Sequence, residues 1–260
     1  MSSPVPTRVI LDIAFQPIVA LASDRVYGYE ALGRPRTLAG EALAIGVLLA
    51  EARAAGELLA LDRALRRRAI ECIVTCPRDP QLRWFLNVDS RCADSPGYSP
   101  GYTRRVLAEL GAPELQIVIE LGEQDPLLDR RRLAAMVPSY ARQGFSIALD
   151  DFGAGHATLS RLVEVRPQFV KLDPSLVHGV ADDPMRASLL RAFAGFAAES
   201  GILLVAEGIE READLAFVIA AGVPLGQGYL LGRPAPLDRA AVAGPSDAYV
   251  LEDMPVQACP

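Results

Sequence analysis

Four cysteines, two histidines and one tryptophan stand among 260 residues, and aromatic types reach only 6%. Cys72, Cys76, Cys92 and Cys259 are too few for a disulfide scaffold. Cys72 and Cys76 lack two further ligands at zinc spacing. They read as small residues on a buried helix face, following Leu58, Leu61, Leu65 and Ala69 at helical intervals. Basic residues are also short, 26 against 32 acidic for a net charge of −6, so the chain has no basic stripe for a DNA or RNA duplex. An anionic substrate is not excluded, because bound cations reverse the local charge of a site. A membrane span needs about 20 predominantly apolar residues. The longest uncharged stretch, 215–232, is broken by Gly222, Pro224, Gly226, Gln227 and Gly228, and reads as a helix, a loop and a buried strand. The opening Met1-Ser2-Ser3-Pro4 has no basic region before an apolar run, so the expectation is a cytoplasmic protein with reduced thiols.

What is present suits one large core. Apolar types make up 51% of the chain and charged types 22%. Strand-like runs at 13–20, 25–32, 83–88, 115–121, 145–150, 168–172, 202–206 and 225–230 alternate with amphipathic segments. Leu133, Met136, Val137 and Tyr140 follow one helix face, and Leu189, Phe193, Phe196 and Ala197 another. This order predicts an α/β fold, a TIM (β/α)8 barrel. Too few residues separate the first two strands for a parallel crossover, so the barrel should be irregular, with an antiparallel first strand. A single domain is expected over 1–242 and a C-terminal tail over 243–260. Arg66, Arg67 and Arg68 read as a solvated helix face, His178 before Gly179 as a helix end, and His156 as no ligand.

The informative residues sit where the apolar runs stop. Trp84-Phe85-Leu86 ends in Asn87, Ile117-Val118-Ile119 in Glu120, and Ile147-Ala148-Leu149 in Asp150-Asp151. Phe169-Val170 ends in Lys171, with Asp173 two further on, and Leu203-Leu204-Val205-Ala206 ends in Glu207. Glu30 closes the strand around Tyr27 and Tyr29, and Gln227 lies in the last strand. One acid after a strand is ordinarily a cap, but in a barrel these ends converge on the face that carries active sites. A ring of carboxylates repels itself without cations. The hard-oxygen set Glu30, Asn87, Glu120, Asp150 and Asp151 suits Mg2+ or Mn2+, and adjacent aspartates can bridge two ions. The spacing alone points to metal-dependent phosphoryl chemistry.

The ordered series also resembles the EAL-domain cyclic di-GMP phosphodiesterases of bacteria. The matching segments are Phe15-Gln16-Pro17-Ile18-Val19, Glu30-Ala31-Leu32-Gly33-Arg34, Phe85-Leu86-Asn87-Val88 and Leu149-Asp150-Asp151-Phe152-Gly153-Ala154-Gly155. Val170-Lys171-Leu172-Asp173, Val205-Ala206-Glu207-Gly208-Ile209-Glu210 and Gln227-Gly228-Tyr229 complete it. The resemblance implies hydrolysis of cyclic di-GMP to linear pGpG with two Mg2+ or Mn2+ ions. It implies Glu30, Asn87, Glu120, Asp150, Asp151 and Glu207 as metal ligands, and Lys171 and Glu207 as catalytic groups. It further implies Gln16, Arg34, Asp173 and Gln227 at the substrate, and Glu123 and Glu210 as anchors of the loop after Phe152. A homodimer, and regulation by a protein partner, are expected on the same ground. Two departures are visible. Gly122 stands where the family carries Thr, and Ala154, His156, Ala157 and Thr158 replace the usual loop residues. They motivate the alternative of a catalytically impaired cyclic di-GMP-binding module that acts through a partner. A third reading, an unrelated barrel acting on another phosphorylated metabolite, rests only on fold not fixing function.

Overall fold

The computed structural model describes residues 9–76, 79–122, 126–154 and 159–237. Eight strands form a closed barrel in chain order. They are β1 (Val9–Ala20), β2 (Arg25–Thr37), β3 (Arg83–Val88), β4 (Gln116–Leu121), β5 (Ser146–Phe152), β6 (Phe169–Leu172), β7 (Leu203–Ala206) and β8 (Leu225–Gly226). The helices are α1 (Ile45–Ala54), α2 (Leu58–Val74), α3 (Tyr102–Glu109), α4 (Pro126–Arg142), α5 (Leu159–Val165), α6 (Pro174–Val177), α7 (Pro184–Glu199) and α8 (Glu212–Ala220). β1 runs antiparallel to both neighbours, β2 and β8, while every other pair is parallel. The four-residue turn Leu21–Asp24 leaves the chain no room to cross over, as the sequence implied.

Strand periodicity builds two layers. Ile18, Phe85, Val118, Ala148, Phe169, Val205 and Leu225 point inward and plug the barrel, with Phe85 edge-on to Phe169 at 5.2 Å. Their neighbours in sequence point outward. Trp84, Leu86, Ile117, Ile119, Ile147, Leu149, Val170, Leu172 and Leu204 pack under the helices against Ile70, Leu107, Met136, Leu162, Leu190 and Val218. Each such side chain contributes about 1.5–3 kcal/mol on burial.

Several expectations need correction. β8 stops at Gly226, so Gln227 lies just past it instead of within a strand reaching residue 230. Gly228 follows, packed so closely that a Cβ there would meet the Ile209 carbonyl oxygen at 2.1 Å. Arg66 is not on a solvated face; it is buried and paired with Asp62 one turn earlier on α2. Cys72 and Cys76 are partly exposed, and Cys76 lies beyond the helix. On α7 the barrel-facing side is Ala187, Leu190, Ala194 and Ala197, because small residues let the helix approach the sheet. Leu189 and Phe196 are 54% and 43% exposed. The α4 face of Leu133, Met136 and Tyr140 is buried as expected, and His178 caps the end of α6. Among the described residues, no helix is long and apolar enough to cross a membrane.

Candidate metal centre

A residue two positions along a strand faces the same way, one layer higher. Above the plug residues Phe85, Val118, Ala148, Phe169, Val205 and Leu225 stand Asn87, Glu120, Asp150, Lys171, Glu207 and Gln227. β1 runs the other way, so its counterpart is Gln16, two before Ile18 and directly opposite Glu30 of β2. The sequence therefore places an apolar disc and a polar ring one above the other.

Lys171 is the hub of the ring and only 1% exposed. Its Nζ lies 3.1 Å from Glu30 Oε2, 2.9 Å from Glu120 Oε1, 3.1 Å from Asp150 Oδ1 and 2.9 Å from Glu207 Oε1. Glu30 also accepts from Gln227 Nε2 at 2.7 Å and Asn87 Nδ2 at 3.2 Å. Asp151 enters by a local irregularity. Consecutive strand residues point to opposite faces, but pairing with β6 shifts between Leu149 and Phe152, and Asp151 adopts φ 53°. Its carboxylate thereby joins those of Asp150 and Glu207, with ligand atoms within 4.8 Å of one another. Left-handed backbone costs a non-glycine residue about 1–3 kcal/mol, and it is typical of functional sites.

The charges are out of balance. Burial pushes Glu120 well above the usual carboxylate range, and Glu30 and Asp150 push the same way against Lys171. Burial raises Glu207 to about 8, opposed by Lys171 and supported by Asp150 and Glu30. Burial and then Asp150 raise Asp151. Burial also works against charge on Glu30, but Lys171, Gln227 and Asn87 outweigh it and hold its carboxyl low. Burial disfavours the Lys171 ammonium, and the surrounding carboxylates overturn that, so its pKa lies well above the ordinary value.

Five carboxylates thus face one ammonium. Both Glu120 oxygens and Asp150 Oδ1 are shut off from solvent without a hydrogen bond, although two of them touch Lys171 as ion pairs. Glu30, Glu120 and Asp150 form one set of ligand atoms within 4.8 Å, and Asp150, Asp151 and Glu207 a second. One fully unpartnered oxygen, Glu120 Oε2, and two sets of hard oxygens that share an aspartate fit divalent metal ions.

Other sequence candidates lie around this ring. Gln16 is buried and donates to the Gly232 carbonyl at 3.1 Å. It borders a cleft of about 320 Å³ together with Glu30, His178, Glu207, Glu210 and Tyr229. His178, which sequence reasoning set aside as a helix end, is both a cap and a cleft residue. Arg34 sits outside the ring, donating to its neighbour's carbonyl, and lines a cavity of about 280 Å³ beside Glu30 and Asn87. Asp173 caps α6 by accepting the Ser175 N–H at 2.8 Å. Glu123, His156, Ala157, Thr158 and the tail lie outside the described residues.

The family model for the EAL domain matches residues 9–234. A cyclic di-GMP phosphodiesterase of Pseudomonas aeruginosa, PA2567, is 29% identical over 90% of this chain and 40% of its own length. The Escherichia coli cyclic di-GMP phosphodiesterase PdeL is 30% identical over 58% of this chain and 41% of its own. The chain spans less than half the length of the curated relatives it matches. Among solved structures, Klebsiella pneumoniae BlrP1 in its calcium and cyclic di-GMP complex matches with a TM-score of 0.77, 25% identity, 90% coverage of this chain and 57% of that one. A standalone EAL protein of Vibrio cholerae with cyclic di-GMP bound matches with a TM-score of 0.71, 26% identity, 86% coverage of this chain and 92% of that one.

Proposed function

Since the chain belongs to the EAL-domain family, we propose that it is a metal-dependent phosphodiesterase hydrolysing cyclic di-GMP to linear pGpG. The observation that carries this reading is the charge-deficient ring around Lys171 with its two sets of ligand atoms. Glu30, Asn87, Glu120, Asp150, Asp151 and Glu207 would hold two Mg2+ or Mn2+ ions. Such ions, when bound, lower the pKa of water and neutralise charge on the diester. Lys171 keeps its proton and so cannot act as a base; its ammonium holds and polarises the attacking water. Glu207, whose Oε1 lies 2.9 Å from Lys171 Nζ, is the carboxylate assigned to take that water's proton. Gln227 fixes Glu30 by its 2.7 Å hydrogen bond, and Gln16, Arg34, Asp173 and Gln227 face the substrate. Glu210, at the cleft edge, is assigned with Glu123 to anchoring the loop after Phe152.

The test is pGpG formation from cyclic di-GMP with Mg2+ or Mn2+, and no product above a Glu30→Ala control would sink the reading. Gly122 supports the second reading, a cyclic di-GMP-binding module that signals through a partner protein. It lies two residues past Glu120 and has no hydroxyl to support that ligand. Tight binding without turnover would select it. The proposal also places the chain in the cytoplasm as a homodimer. Exposed Leu159 of α5 and Leu189 of α7 line an apolar groove suited to a second copy.

A further inference from the structure

The pair Asp62 and Arg66 on α2 is buried outside the ring, at 5% and 6% exposure, and the chemistry above does not use it. Asp62 Oδ1 accepts the backbone N–H of Asp89 at 3.1 Å, two residues past Asn87. Its Oδ2 accepts from Arg66 Nη2. Arg66 Nη1 donates to Thr103 Oγ1 of α3 at 3.0 Å and to Tyr140 Oη of α4 at 3.1 Å. Asp89 in turn caps the 3-10 turn Ser90–Asp94, accepting the Arg91 N–H at 2.9 Å. Three helices are therefore tied through one ion pair to the backbone at the end of β3. Asp62, Arg66 and Asp89 border the same cavity as Asn87 and Glu30. Asn87 itself is open to solvent, and its side-chain amide reaches the ring by donating to Glu30 Oε1 at 3.2 Å.

A buried ion pair is poor value as a source of stability, since apolar residues of similar volume commonly do as well. What it supplies is a fixed direction. From this geometry we infer that Asp62 and Arg66 are positioning residues for the metal ligand Asn87. They hold the end of β3 so that its amide meets the ring. The inference rests on the functional reading above.

The test is a double-mutant cycle on Mn2+ binding to the full chain, measured by titration calorimetry. Asp62→Ala should weaken Mn2+ binding about 10–100-fold, the usual effect of losing a group that supports a ligand. Asp62→Asn keeps an acceptor for the Asp89 N–H and should recover most of the loss. Asp62→Ala added to Asn87→Ala should weaken binding no further, because the ligand it positions is gone. If Asp62→Ala does not fold, Arg66→Lys carries the same cycle, keeping the charge but losing the reach to Thr103 and Tyr140. Losses that multiply, or an Asp62→Ala or Arg66→Lys protein that binds Mn2+ like the wild type, would overturn the inference while leaving the functional reading intact. A wild-type chain that binds no Mn2+ overturns both.

Discussion

Replacing Lys171 by Met removes the one cation from a ring of carboxylates while keeping the volume of its stem. In the native ring the ammonium stands 2.9–3.1 Å from four carboxylates. Deleting one partner of a buried ion pair costs about 3–5 kcal/mol. For a chain of this size the melting temperature moves about 2–4 °C per kcal/mol, so the metal-free variant should melt about 6–20 °C below the wild type at pH 7. Glu120, Glu207 and Glu30 would then take up protons, so the deficit should shrink as pH falls. Mn2+ should narrow it too, by returning positive charge to the ring. The assay is thermal unfolding by circular dichroism at pH 5.5, 7 and 8.5, with Mn2+ or with a chelator. Turnover of cyclic di-GMP should fall about 10²–10³-fold, as expected for losing a fixed charge that polarises the nucleophile. A metal-free variant melting within about 2 °C of wild type at every pH would refute the view that Lys171 balances the ring.

Other outcomes follow from the same geometry. Glu207, Glu120 and Asp151 have raised pKa values in the fold, so their stabilising share is complete below the unfolded value and is lost as pH rises, for Glu207 through about 8. Glu30 has the opposite sign, and its effect is confined to acid pH. The metal-free wild type should therefore melt lower at pH 8.5 than at pH 5.5, and Mn2+ should flatten that slope; equal melting points would contradict it. Gly228→Ala places a Cβ 2.1 Å from the Ile209 carbonyl oxygen, so the loops bearing Glu207 and Gln227 must part, with a loss of about 1–3 kcal/mol in urea unfolding. Asp151→Gly relieves a left-handed backbone and should leave the melting point nearly unchanged, while calorimetry loses one Mn2+ site. Leu189→Asp places a charge beside the apolar groove of α7 and should convert the proposed homodimer to a monomer in light scattering.

The strand order, the antiparallel start and the ring were legible because each rests on a short-range rule. Period two in Phe85 and Asn87, or Val118 and Glu120, already puts an acid or amide above an apolar plug residue. Arg66 was misread because a run of three arginines looks solvated from sequence. Only the fold brings Thr103 and Tyr140 to it, although Asp62 four residues earlier was a usable signal. Leu189 and Phe196 misled for a related reason. Large apolar side chains usually mark the buried face of a helix, but α7 approaches the sheet through alanines. Asp151 was expected beside Asp150 on residue type, although strand alternation alone would turn it to the opposite face. The irregular pairing that turns it back is a property of β5 against β6.

The central lysine also bears on how the barrel assembles. Cut between β4 and β5, the first half would carry Glu30 and Glu120 with no counter-charge, and the second would carry Lys171 with Asp150, Asp151 and Glu207. Neither half is electrically whole, and the Gln227 to Glu30 hydrogen bond spans 197 positions of chain. The ring is therefore complete only once the end of the chain's last strand has reached Glu30 of β2.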